Sequence, residues 1–171
     1  MRFRDIPPFT MAHYKVDVAL DEVDQLLESY KQQGLQLEPD FQRGHVWTET
    51  QQIRYVEYLL REGVSGRAIY FNQPGWMRDW HGDFVLVDGL QRLTACLRFL
   101  RNEIPAFGSY FCEYDGPPPL GARLEFYVND LPTRAEVLDW YIQLNAGGVV
   151  HSDEEIARVR TLLDQERQST E

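Results

Sequence analysis

Five segments of the chain carry apolar residues at the three- and four-residue spacing of an amphipathic helix. Four of them begin with a capping side chain followed three residues later by Glu or Gln, which is the capping-box pattern. These four begin at Thr48-x-x-Gln51, Asp88-x-x-Gln91, Thr133-x-x-Glu136 and Ser152-x-x-Glu155. The fifth segment extends from about Asp21 to Gln33 and is followed by Gly34, a residue that commonly ends helices. The spacing therefore predicts five helices.

Short apolar runs between these segments predict strands. Arg67 to Asn72 and Phe84 to Val87 are predicted to pair, because a loop containing Gly and Pro joins them. Further candidate strands are Leu124 to Val128, Tyr14 to Val18 and Leu35 to Leu37. This mixture of elements predicts an α+β fold. No shift in composition divides the chain, so we expect one domain over residues 1–171, with a C-terminal tail that frays after about residue 164.

The charge balance narrows the possible partners. The chain of 171 residues has a formal net charge of −10, which argues against direct nonspecific DNA binding, because phosphate contacts need excess positive charge. A local site for a small phosphate ligand needs only a few donors and stays possible. No apolar run approaches the roughly 20 residues that cross a bilayer, so we expect no membrane association. Cys96 and Cys112 lack metal-type spacing and are interpreted as reduced thiols of a cytoplasmic protein.

The turn Asp88-Gly89-Leu90-Gln91-Arg92 joins a predicted strand directly to a predicted helix. The first N–H groups of a helix have no partners within it and attract anions. Gly89 has no side chain to obstruct a ligand, and Arg92 lies about one turn into the helix with a guanidinium suited to phosphate. Asp88 is suited to hold a divalent cation that accompanies a nucleotide, or to orient a water molecule. The turn is therefore a candidate phosphate-recognition site.

Local structure alone also explains these five residues. Asp88 and Gln91 have the spacing of a capping box. Asp88 and Arg92 have the spacing of an i,i+4 ion pair, which contributes about 0.2–0.5 kcal/mol to helix stability. The residue spacing leaves both interpretations open.

Two further clusters contain side chains that are common in binding sites. The first, residues 40–47, places Arg43 in a loop-like segment between Phe41 and Trp47. The second, residues 145–148, has the sequence Asn-Ala-Gly-Gly and follows a predicted helix. Taken singly, the first is also explained by two aromatic core anchors and an ion-pair partner, and the second by a helix stop.

Taken in order, the three clusters resemble the "DGQQR" domain family. The matching segments are Phe41-Gln42-Arg43-x-x-x-Trp47, Val87-Asp88-Gly89-Leu90-Gln91-Arg92-Leu93-Thr94-Ala95 and Asn145-Ala146-Gly147-Gly148. That family belongs to the ParB/sulfiredoxin-like superfamily and includes the N-terminal part of GmrSD-type, modification-dependent restriction systems. The resemblance spans about residues 35–160.

The resemblance implies a ParB/sulfiredoxin-like α+β fold, with a small mixed sheet, flanking helices and a nucleotide site at the Asp-Gly-x-x-Arg turn. By position it implies catalytic roles for Asp88 and Arg92, a Mg²⁺ site at Asp88, and nucleotide or phosphate binding by Arg43, Gly89, Gln91 and Asn145. In restriction relatives this domain hydrolyses nucleoside triphosphates and serves a separate nuclease domain. We therefore expect an NTP-binding and Mg²⁺-dependent NTP-hydrolysing domain of a phage or bacterial defence system.

The chain departs from the family at Leu90, where the family has Gln. The same position holds the catalytic Cys of sulfiredoxins, so sulfinic-acid chemistry is excluded. The chain also differs from ParB at Leu90 and Gln91, which argues against ParB-like CTP switching. The four scattered histidines form no H-N-H-like cluster, so we expect a nuclease subunit to act in trans. The departure and the acidic charge favour a second hypothesis. It is a non-catalytic interaction protein that keeps the fold and binds a protein partner or blocks a nucleic-acid-binding groove.

Overall fold

A computed structural model of the protein describes residues 6, 10, 12–42, 47–76, 78–145 and 153–169. Within these residues, a four-stranded sheet is flanked by five α-helices, which confirms the predicted α+β class. The strands are β1 (Tyr14–Ala19), β2 (Ala68–Asn72), β3 (Val85–Asp88) and β4 (Arg123–Asn129). The helices are α1 (Val23–Gln32), α2 (Glu49–Leu60), α3 (Leu90–Leu100), α4 (Arg134–Asn145) and α5 (Asp153–Ser169).

The sheet is mixed, with the strand order β1-β4-β2-β3. β1 pairs antiparallel with β4, β4 pairs parallel with β2, and β2 pairs antiparallel with β3, as predicted for the last two. The candidate strand at residues 35–37 is reduced to one bridge between Gln36 and Val85. The next bond of this parallel ladder would use the carbonyl of Leu86, which accepts from Gln42 Nε2 instead, so the ladder beside β3 ends there.

Helices cover both faces of the sheet, and the alternation of side chains along β3 shows this directly. Leu86 packs into a core that contains residues of α1, α2 and α3. Val85 and Val87 point to the opposite face and pack against residues of α4 and α5. Burial on both sides explains why this strand is an uninterrupted apolar run rather than an alternating one.

Two of the four predicted capping boxes are present. Thr48 Oγ1 accepts the N–H of Gln51, and Gln51 Oε1 accepts the N–H of Thr48 at 2.8 Å. Thr133 and Glu136 exchange the same two bonds at the start of α4, at 3.3 and 3.1 Å. The box predicted at Ser152 begins outside the described residues.

The capping box predicted at Asp88 is wrong. Asp88 belongs to β3, where it lies opposite Tyr70, so the helix begins one residue later than the box requires. The N-cap of α3 is Gly89, with φ +109°, and this residue has no side chain that could cap the helix. The strand-to-helix junction itself is as predicted.

Arginine side chains of α4 and α5 bind the segment that contains Asp40 and Phe41. The Arg134 guanidinium bonds both carboxylate oxygens of Asp40 at 2.7 Å and reaches Glu166 on α5 at 2.9 Å. Arg158 on α5 donates to the carbonyls of Asp40 and Phe41 at 3.0 and 3.1 Å. α5 continues to Ser169, past the position near 164 where we expect fraying. No helix within the described ranges has the length and apolarity needed to cross a bilayer.

Candidate functional site

A cavity of about 530 Å³ lies where β3 passes into α3. Five of the predicted site residues line it, namely Asp88, Gly89, Gln91, Arg92 and Asn145. Arg43, the sixth, lies outside the described residues, but Gln42 and Trp47 on either side of residues 43–46 both line the cavity. The fold therefore brings together every predicted site residue that the structure describes.

Asp88 and Arg92 form the predicted i,i+4 ion pair. Arg92 Nη2 donates to Asp88 Oδ2 at 2.7 Å, and the two side chains are only 20% and 27% exposed. Because they are partly shielded from water, their charges interact more strongly with each other and with a ligand than fully exposed charges would. Burial and, to a smaller extent, the nearby charge of Asp88 raise the pKa of Tyr70 on the neighbouring strand.

Gly89 is required by the packing of the turn. A Cβ at this position would lie 2.7 Å from Ile69 Cδ1 and 3.2 Å from Ile69 Cα, and the φ of +109° is one that other residues rarely adopt. The sequence suggested that glycine leaves room for a ligand, whereas the close neighbour is β2. Glycine at the N-cap also leaves the first turn of α3 without a capping side chain.

Two glutamine side chains connect Gln42 and Trp47, the residues on either side of 43–46, to β3 and α3. Gln42 Nε2 donates to the carbonyl of Leu86, and Gln91 Oε1 accepts the N–H of Trp47 at 2.8 Å. The second bond connects Trp47, two residues before α2, to the first turn of α3. Gln91 therefore positions a cavity wall through its contact with Trp47.

Asn145 and Leu90 also line the cavity. Asn145 is buried at the end of α4, and its Nδ2 donates to the carbonyl of Tyr141 at 2.7 Å, one turn back. Leu90 is 6% exposed and belongs to the core formed with α1 and α2. The departure from the DGQQR pattern thus places an apolar side chain that packs inward at the helix start.

The cavity also has an aromatic wall that was not predicted from the sequence, formed by Trp47, Tyr55, Tyr58 and Tyr141. The rings of Trp47 and Tyr55 meet edge to face with centroids 5.5 Å apart. Tyr55 donates its hydroxyl proton to the carbonyl of Gly66 at 2.7 Å, and burial raises its pKa. These contacts fix the orientation of Tyr55 beside the phosphate-suited turn.

Tyr58, another member of this wall, is held by Ser65. Its hydroxyl accepts the N–H of Ser65 at 2.9 Å and lies 2.7 Å from the Ser65 hydroxyl. These hydrogen bonds, that of the Ser65 side chain first, lower the pKa of Tyr58. Tyr55 and Tyr58 are three residues apart on α2, beside the apolar positions Val56 and Leu59, so the sequence pattern does not separate them from the core. The occurrence of tyrosine rather than an aliphatic residue at both positions is the feature of the sequence that could have indicated Tyr55 and Tyr58 as cavity residues.

Fold and site together define a small α+β domain with a cavity suited to a phosphate-bearing ligand at a strand-to-helix turn. The profile of the family described as GmrSD restriction endonuclease, N-terminal domain, matches residues 23–120. This match covers more than half of the chain, and the chain belongs to that family. Membership associates the protein with restriction and therefore with defence against phage.

The family match includes the turn at residues 88–92 and all of α2, whereas Asn145 lies beyond it. The comparison with curated proteins finds no match, and neither does the comparison with solved structures. The roles of the individual side chains therefore follow from their geometry.

Proposed function

We propose that the cavity binds a nucleoside triphosphate, with its phosphates at residues 88–92 and its base toward the aromatic wall, and that the domain hydrolyses this nucleotide with Mg²⁺. One observation carries the proposal. An uncapped helix start, a guanidinium and a carboxylate converge on one cavity of about 530 Å³. This volume lies in the range of about 300–1,000 Å³ that is typical of ligand pockets.

The phosphates are assigned to the α3 end of the cavity. The backbone N–H groups of the first turn of α3 and the guanidinium of Arg92 are donors suited to phosphate oxygens. Arg43 is assigned as a second guanidinium, because it lies in the chain between Gln42 and Trp47, which both line the cavity. Two arginines would counter much of the charge of a triphosphate.

The residues present fit a metal ion that arrives with the nucleotide. Mg²⁺ in nucleotide sites is usually held by one or two carboxylates together with phosphates and water. Among the described residues, no group of three or more His, Cys, Asp or Glu side chains could hold a metal by itself, and Asp88 supplies one carboxylate at the cavity. When bound there, Mg²⁺ would neutralise charge that develops on the phosphates.

The Asp88–Arg92 pair couples the two ligands in this proposal. A phosphate that takes the guanidinium of Arg92 competes with the 2.7 Å contact to Asp88 Oδ2. The carboxylate of Asp88 is then available to a metal ion or to a water molecule that attacks the γ-phosphate. Nucleotide and Mg²⁺ should therefore bind more tightly together than either does alone.

The direct test is calorimetric titration with ATP, GTP and CTP in the presence of Mg²⁺, together with an assay of phosphate release. Arg92→Ala should weaken nucleotide binding about 10- to 150-fold, because a charge-assisted hydrogen bond contributes about 1.5–3 kcal/mol. Arg101→Ala is the matched control, since Arg101 follows the same helix but pairs with Asp24 away from the cavity. Undiminished binding by a folded Arg92→Ala protein would contradict the assignment, and phosphate release by the unmodified protein would establish hydrolysis.

A second function is favoured by the formal net charge of −10 and by the apolar Leu90 at the turn. In that function the domain is a non-catalytic interaction module that binds a partner through its acidic surface. Co-purification with a nuclease subunit separates the two functions. A complex that requires nucleotide favours the nucleotide-binding domain, and one that is indifferent to nucleotide favours the interaction module. Failure to bind any of the three nucleotides would also favour the latter.

A further inference from the structure

Two arginines on the outer side of α2 stand out in this acidic protein. Arg54 and Arg61 are exposed, and within the described part of the chain they form no ion pair, unlike Arg98 or Arg101. Glu57 lies between them at helical ion-pair spacing. Its carboxylate instead accepts the N–H of Phe107 at 2.9 Å. Both guanidinium groups are therefore available to an anion from outside the chain.

Phe107 lies beside them in an unfavourable backbone conformation. Ala106 and Ser109 exchange two backbone hydrogen bonds, of 2.8 and 3.0 Å, around the two-residue turn of Phe107 and Gly108. Phe107 has φ +49° and Gly108 has φ +80°, values for which such turns use Asn, Asp or Gly. The Phe107 ring is 55% exposed, so burial does not offset the cost of this conformation. An exposed side chain held at a costly backbone position is typical of a functional surface.

These residues share one shallow cleft. It has a volume of about 370 Å³ and is lined by Arg54, Glu57, Tyr58, Arg61, Gly63 and Phe107. We propose that this cleft binds a single strand of nucleic acid, with phosphates on Arg54 and Arg61 and an unpaired base stacked on Phe107. The two arginines are seven residues apart, which is about 10 Å along the helix axis, so they contact different phosphates.

The exposed ring favours a nucleic acid over an acidic peptide. Two guanidinium groups suffice to hold carboxylates, whereas an aromatic face beside them is the arrangement that binds bases and backbone together. A base must be unpaired to stack on a side chain, so the ligand is a single strand rather than a duplex. The proposal concerns a cleft separate from the α3 turn and does not rest on nucleotide hydrolysis, although Tyr58 lines both cavities.

Anisotropy of a short labelled single-stranded oligonucleotide over a salt series tests the proposal. Contact with two phosphates gives a slope of about −1.4 for log K against log salt concentration. In the double variant Arg54→Ala/Arg61→Ala the slope should approach zero. Arg160→Ala/Arg167→Ala is the charge-matched control, because both arginines are exposed on α5 and neither lines the cleft, and it should leave the slope unchanged.

Substitutions of Phe107 separate binding from folding. Phe107→Asn suits the turn, so the thermal midpoint should stay the same or rise, while the affinity for the strand falls about 5- to 150-fold with the loss of stacking. Phe107→Tyr keeps an aromatic face and should keep the affinity.

Four results would overturn the proposal. They are no binding of the oligonucleotide by the unmodified protein, undiminished binding by Phe107→Asn, equally tight binding of the matching duplex, and loss of binding in Arg92→Ala, which would place the strand at the α3 turn. Binding of an acidic peptide that depends on Phe107 while the oligonucleotide does not bind would identify the cleft as a protein-docking site instead.

Discussion

α2 and α3 begin with the same sequence pattern, yet their N-termini differ in structure. At α2, Thr48 and Gln51 satisfy each other's backbone N–H groups in a reciprocal capping box. At α3, Asp88 pairs with Arg92 instead, and Gln91 accepts the N–H of Trp47 from another segment. A polar residue followed three residues later by Gln therefore marks where a helix starts, but not whether that start is closed or open to a ligand.

The residue before each helix explains the difference. Thr48 follows a loop and adopts extended backbone angles, with φ −67° and ψ 158°, that direct its side chain back to the helix. Asp88 is held in the sheet opposite Tyr70, so the N-cap moves to Gly89, which has no side chain to offer. The pairing of Asp88 in the sheet thus prevents a capping box from forming at the start of α3.

The largest expected effect comes from Gly89→Ala, which disturbs the open helix start itself. The substitution adds a strained φ and a 2.7 Å contact with Ile69, and should lower the free energy of unfolding by about 2–5 kcal/mol. Gly34→Ala is the control, because Gly34 has φ +94° but no heavy atom within 4 Å of its Cβ position, and should cost about 1 kcal/mol. Urea unfolding measures both. Equal losses would show that contact with Ile69 does not constrain the turn.

A smaller effect on stability distinguishes Thr48 from Asp88, the first residue of the pattern at each helix. Thr48→Ala should cost about 1 kcal/mol of stability, because it removes a true cap. Asp88→Ala should cost only about 0.2–0.5 kcal/mol, since it removes a partly exposed i,i+4 pair. In calorimetry, Asp88→Ala should abolish the increase in nucleotide affinity caused by Mg²⁺, and Thr48→Ala should retain it. If Asp88→Ala cost as much stability as Thr48→Ala, Asp88 would be acting as a cap.

Local patterns predicted the elements of the fold well, because each depends on neighbours in the chain. Helical spacing placed α1 to α4, and apolar runs placed β2, β3 and β4 within one or two residues. The position of β1 beside β4 was not predictable, since strand order depends on pairing between Tyr14 and Val128, which are far apart in sequence. Residues 35–37 form only one bridge, because the Leu86 carbonyl that a longer ladder would use accepts from the Gln42 side chain, which is later in the chain.

The candidate site was predictable only in part for the same reason. The strand-to-helix junction is a local feature, and its residues Asp88 and Arg92 do line the cavity. The wall contributed by Tyr55 and Tyr58 comes from another helix, and its role depends on how α2 packs beside α3. The sequence singled out Gly89 as a ligand-binding residue, but the neighbour that requires glycine there, Ile69, lies on a different strand and cannot be identified from local spacing.

The smallest expected effect on nucleotide binding concerns the two glutamines of the pattern. Gln51→Ala and Gln91→Ala each remove an acceptor for one backbone N–H, so each should lower stability by about 0.5–1.5 kcal/mol. Only Gln91 connects a cavity wall to the turn, through Trp47, so only Gln91→Ala should also weaken nucleotide binding, by a few fold. Titration of both variants with the same nucleotide measures the difference. Equal affinities would mean that the Gln91 contact contributes to folding alone, and that the open helix start of α3 binds its ligand without help from the segment before α2.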